Sequence, residues 1–241
     1  MPKAEAAKED WAAHLAREEE RYRDGEARLR PAAEGAHGAE DSGPADPDAR
    51  QKQLTRLGNA AAGAGLALLM QGRHEEAARW LNRAADRYRE SFADAPPDSW
   101  GRPIGSLKAL VLAGDWAAAE DAAYWTLQTG AGEAESPIGR YAAALALLVL
   151  RRDEEAREHA DAIRVRDDFP AAVGDALAFL AAQDVLGYAT AVEEVLESFE
   201  SRTEYLEDLP VADTVLVLQG LAGQRGMAAE LSSRLLPAPN A

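Results

Sequence analysis

An all-α fold is predicted for this chain, built as an α-solenoid of about five stacked helical hairpins behind a charged N-terminal helix. Three observations predict it. Alanine is heavily used, while β-branched and aromatic residues are sparse (6% aromatic), which favours helix over strand. The four prolines between Asp98 and Leu236 (Pro103, Pro137, Pro170 and Pro210) recur at spacings of 34, 33 and 40 residues, the period of a helical hairpin. Between these prolines, apolar residues fall on one face at helical spacing.

In chain order, residues 1–33 hold a highly charged helix over 4–30 with a thin apolar seam of Trp11, Leu15, Tyr22 and Leu29. Residues 34–47 read as an acidic Gly/Pro linker, within EGAHGAEDSGPADPDA (34–49). The repeat array is expected over 48–236, with a short tail over 237–241. The N-terminal helix either docks on the array or belongs to a partner; docking in cis is expected. Because few apolar residues lie upstream, the array is expected to fold without residues 1–47.

Each proline marks a helix start. Ser136 precedes Pro137 as an N-cap precedes a proline at the first helical position. Asp168-Phe169-Pro170 and Asp208-Leu209-Pro210 share a second pattern, with Asp as the expected cap. The second helix of each hairpin shows one apolar face. These faces are Ala77, Leu81, Ala84 and Tyr88; Trp116, Ala119, Ala123 and Leu127; Ala156, Ala160 and Ile163; Val192, Val195, Leu196 and Phe199; and Ala228, Leu231 and Leu235.

The segment AGAGLALLMQGRHEEAARWLNRA resembles a tetratricopeptide repeat, with Gly65, Leu68, Gly72, Ala77, Leu81 and Ala84 in order and spacing. Leu110, Gly114, Trp116, Ala119 and Ala123 follow the same pattern in the next unit. In the third, Arg151 stands where the glycine should be, while Ala156 and Ala160 hold register. The resemblance implies helical hairpins whose small residues allow close approach, and a face of first helices that binds a protein partner.

Function classes narrow by chemistry. The formal charge of −16, from 42 acids against 26 bases, repels phosphate backbones and argues against nucleic acid. Only four of the bases are lysines, a skew that fits either GC-rich codon usage or a halophilic host. No cysteine is present, which removes thiolate chemistry and fits a cytoplasmic protein. The longest apolar run, 141–150, is too short to span a bilayer. His14, His37, His74 and His159 are scattered without helical metal-ligand spacing, so no metal or other cofactor is expected. The acid pairs Glu75-Glu76, Glu154-Glu155 and Glu193-Glu194 are expected in first turns, where anions complement the helix dipole. Trp116 and Trp125 are expected in the core, and Trp100, in APPDSWGRP, at the surface.

A non-enzymatic protein-interaction scaffold is therefore expected, its partner a protein or an acidic peptide segment. The alternative is an acidic inhibitor, of the immunity or antitoxin type, that blocks a basic partner such as a nuclease. The expected contact surface is Trp100, Arg102, Lys108, Arg140 and Tyr141. Arg102 and Arg140 each place a cation at the positive end of a helix, against the dipole. They are expected side by side at the same end of neighbouring first helices, either free to hold a carboxylate or paired with Asp94, Asp98, Glu133 or Glu135.

Self-repulsion among surface carboxylates opposes the compact state, and the Debye length shrinks from ~10 Å at 0.1 M salt to ~3 Å at 1 M. The melting temperature is expected to rise through a KCl series to 2 M; a flat or falling series would show that acidity costs no stability.

Overall fold

One backbone turn recurs five times and organises the chain. The computed structural model describes residues 9–29 and 46–238. Helices are the only regular structure among them: α1 (Trp11–Leu29), α2 (Pro47–Leu69), α3 (His74–Phe92), α4 (Gly101–Ala113), α5 (Trp116–Gln128), α6 (Pro137–Val149), α7 (Asp153–Arg164), α8 (Ala171–Ala181), α9 (Val185–Glu200) and α10 (Asp213–Gly223), with two short 3₁₀ turns. The end of each of α2, α4, α6, α8 and α10 is closed by a residue of positive φ: Gly72, Gly114, Arg151, Gln183 and Gly226. The amide one place further on donates back to a carbonyl five residues earlier. The pairs are Arg73 to Leu68, Asp115 to Leu110, Arg152 to Leu147, Asp184 to Phe179 and Met227 to Ala222, all at 2.9–3.1 Å. This closure satisfies carbonyls that the helix leaves open and sends the chain back antiparallel. Glycine takes the left-handed conformation without strain; Arg151 and Gln183 hold it at φ 60° and 56°.

The helices so turned pack on their chain neighbours from α1 to α9, and α2 also touches α4, α4 touches α6, and α6 touches α8. These contacts make a stack of helices around one long apolar core. Close approach rests on small residues, as at Gly65, where an added Cβ would stand 2.6 Å from Leu81 Cγ. Tyr88 is wedged between Gly58 of α2 and Gly105 of α4, each of which would meet its ring within 2.8 Å if it carried a Cβ.

Several expectations are corrected. Leu15 and Tyr22 of α1 are buried in the same core as α2 and α3, so the upstream segment does supply core residues. Between them Glu18 is fully buried, held by Arg17 (2.9 Å) and Arg21 (3.0 Å), with Gly63 leaving room for it. The linker positions 34–45 lie outside the described residues; Asp46 caps α2 and Pro47 is its first residue.

Helix starts also differ in part. Ser136 caps α6 at Gly139 N (3.1 Å), as the sequence predicts. Pro170 is itself the N-cap of α8, because Arg166 occupies the Asp168 carboxylate. Ala212, not Asp208, precedes α10, and Trp100, not Arg102, takes the N-cap position of α4. Glu193 and Glu194 lie in the middle of α9, which starts at Val185.

The fifth pair has no second helix. After the turn, Gln219 donates to Ala229 O (2.6 Å) and accepts from Ala229 N (3.1 Å), and Leu235 O accepts from Ala212 N (2.9 Å). These bonds hold the segment after Met227 in a non-helical path, with Met227, Leu235 and Leu236 buried. α10 itself turns back to pack on α4, as well as on α8 and α9.

Left-handed conformation costs a residue with a Cβ about 1–2 kcal/mol. Gln183→Gly is therefore expected to stabilise the chain by about 1 kcal/mol, measured by urea unfolding, whereas Gly114→Gln is expected to destabilise it by a similar amount.

Candidate functional site

α10, packed on α4, borders a partly open cavity of about 630 Å³. Every first helix of the stack contributes to its wall: α2 through Asn59 and Leu66, α4 through Arg102, Ile104, Lys108 and Leu112, α6 through Ile138 and Tyr141. Val173 comes from α8, and Asp213 and Thr214 from α10. The second helices supply little beyond Leu81, Tyr88 and Phe199. The segment between α9 and α10 covers one side through Arg202, Tyr205, Glu207, Leu209 and Val211.

Lys108 is the central polar group. Its ammonium donates to Asp213 and, at 3.2 Å, to Thr214 Oγ1, with 18% of the side chain exposed. Burial alone would pull its pKa down; Asp213 and Tyr141 outweigh that and raise it above the ordinary lysine value. Tyr141 and Tyr88 are pushed up by burial, so both phenols stay protonated at neutral pH. Tyr88 spends its proton on Asn59 Oδ1 at 2.9 Å. At neutral pH the lysine and both phenols therefore carry their protons.

Glu207 fixes the covering segment to the N-terminal half of the chain. Its carboxylate accepts from Arg21 and from Asn59 Nδ2 (3.0 Å), and its carbonyl accepts from Arg17 (3.0 Å). Glu207 and Asp208 both hold positive φ, at 55°.

Of the five residues expected at a contact surface, Arg102, Lys108 and Tyr141 line the cavity. Trp100 does not: it is 7% exposed and packed with Ala131, Ala142 and Ala143, its indole NH buried without a partner. The ring is drawn inward because Gly139 leaves space for it, 3.0 Å from where a Cβ would stand. Arg140 faces elsewhere, close enough to His159 of α7 to help burial lower that histidine's pKa. Arg102 instead donates to Gln51 of α2, so the two arginines do not act as one patch. Neither has a carboxylate within 4.0 Å among the described residues, so the ion pairs with Asp94, Asp98, Glu133 or Glu135 are not formed. Trp116 and Trp125, expected in the core, are only partly buried.

Sequence reasoning missed Arg202, Glu207 and Asp213. The signal was the longest proline interval, 40 residues against 33 and 34, whose extra length forms the covering segment. Among the described residues no group of three or more His, Asp or Glu is placed to hold a metal ion, and no helix is long and apolar enough to cross a membrane.

The ion pair at Lys108 gives a double-mutant test. Lys108→Met or Asp213→Leu alone leaves one desolvated charge and is expected to cost about 1.5–3 kcal/mol, while the double variant recovers most of the loss. A raised lysine pKa stabilises the fold below the ordinary lysine range, and that contribution fades as pH rises through the folded value. The native chain should therefore lose an increment of melting temperature at alkaline pH that the double variant keeps; parallel alkaline melts for both would contradict it.

Compared with protein-family models, curated proteins and solved structures, the chain matches none, so the chemistry of the cavity wall itself defines the site.

Proposed function

We propose that the chain is a non-enzymatic interaction module, a tetratricopeptide-like α-solenoid that receives an acidic segment of a protein partner on the face formed by its first helices. The observation that carries it is the shared wall: α2, α4, α6, α8 and α10 all line a single cavity. An array of hairpins that curves places its first helices on the inner side, where a partner touches several repeats at once. The lining supports binding over catalysis, since its lysine and tyrosines are held protonated and its remaining surface is mostly apolar. Arg102 and Arg202 favour an acidic group. An inhibitor of a basic partner would present the opposite charge at its binding face, so the net charge of −16 serves solubility in this reading. The absence of cysteine suits the expected cytoplasmic setting.

A random peptide display library selected on the full chain tests this. Selected peptides should combine Asp or Glu with apolar residues and lose at least ten-fold in affinity on Val173→Trp, a variant that fills the cavity and whose folding is checked by its melting curve. Peptides that bind this folded variant as tightly as the native chain, or a selection that enriches nothing, would refute the module.

A further inference from the structure

Five charged side chains line the cavity: Arg102, Lys108, Arg202, Glu207 and Asp213. Both carboxylates are engaged, Asp213 by Lys108 and Glu207 by Arg21 and Asn59. Two guanidinium groups are left over. Arg102 is half-buried and makes a single bond, to Gln51, while its Nε is sequestered from solvent without a partner. Arg202 is exposed and lies over the Phe199 ring, 3.7 Å from its centre. Among the described residues neither has a carboxylate within 4.0 Å. Burial also lowers the pKa of Arg102, the direction expected of a cation that lacks a counter-ion.

Size and lining restrict the occupant. At about 630 Å³ the cavity falls in the range that buries most of a drug-sized molecule. A helix with its side chains is about 10–12 Å across and would fill it within roughly two turns. α10 packed on α4 and the segment after α9 form part of the wall, and the mouth is open to solvent. The rest of the wall, including Leu66, Ile104, Leu112, Val173 and Phe199, is apolar.

We propose that this cavity binds a free small amphipathic carboxylate, its acidic head paired with Arg102 or Arg202 and its apolar body laid along Ile104, Leu112 and Val173. The proposal rests on the first-helix face being the binding face, and it names the chemistry taken there. A carboxylate on an apolar body is also what an acidic partner segment offers, so the two sources compete for one site.

The test titrates the full chain calorimetrically with sodium decanoate, with decanol, and with a blocked Leu-Asp-Leu tripeptide. Decanoate should bind at least ten-fold more tightly than decanol and raise the melting temperature. Arg102→Gln or Arg202→Gln should remove that preference, and Val173→Trp should abolish binding of both. Equal affinity for decanoate and decanol overturns the proposal, as does a preference that survives both arginine substitutions. Should a substituted chain fail to fold, the comparison of decanoate with decanol on the native chain decides. Binding of the tripeptide or of display-selected peptides while decanoate stays silent overturns the small-molecule site and leaves the partner reading standing. Decanoate binding with no peptide selected supports this site and removes the partner.

Discussion

The left-handed turn at the end of each first helix is the constraint on which the rest of the structure depends. Its two backbone bonds reverse the chain within a few residues, whether the residue in the left-handed position is Gly72 or Gln183. Because the reversal is the same each time, successive first helices arrive on the same side of the stack. Their shared cavity wall follows from that repetition. The turn tolerates Arg151 and Gln183 because its hydrogen bonds come from the backbone; the side chain bears only the cost of positive φ. The fifth turn shows the same point from the other side. It forms at Gly226 although no helix follows, since its bonds need only α10.

Departures from repetition make the site. In place of a fifth helix pair, the chain bends α10 back to α4, and the longer connection after α9 runs across the opening. Arg225 ties the end of α10 to α6 and α7: its side chain is 1% exposed, donating to Leu148 O (2.8 Å) and Leu221 O (3.1 Å) and pairing with Asp153. At the other end, Arg17 and Arg21 each serve both the buried Glu18 and the covering residue Glu207. The N-terminal helix thus holds the cover as well as capping α2. The groove becomes a pocket walled on one side by α10 and the segment before it, and it stays partly open to solvent.

Much of this was legible from residues alone, and the limits have physical causes. Helix content and the hairpin period follow from local preference and proline spacing, which act within a few residues. The buried faces of α3, α7 and α9 were read correctly because helical spacing fixes which side chains share a side. Caps were less legible: Asp168 has the right chemistry for an N-cap, but Arg166 competes for the same carboxylate. The missing last helix depends on Gln219, ten residues away from the amide it binds. Trp100 sits in a loop-like sequence and is nonetheless buried, because the space for it is made by Gly139 on another helix. Of the expected site residues, the three on cavity-facing positions of α4 and α6 came together. Asp213 and Glu207 were invisible, since their roles arise only when the ends of the chain meet.

The balance of charge explains why this cavity is the place to look for a ligand. An acidic excess keeps copies of the chain apart, and several arginines pair locally at i, i+3, as Arg73 with Glu76 and Arg152 with Glu155 do. Such exposed pairs are worth little individually. Inside the cavity the supply runs the other way: both carboxylates are consumed and two guanidiniums remain. Lower local dielectric strengthens any interaction made there and makes an unmatched charge more costly to keep. Arg102, half-buried, gains more from an incoming anion under those conditions than the exposed Arg202 does. In the proposed site, preference for an acidic group would therefore come chiefly from half-buried Arg102, with the exposed Arg202 adding to it.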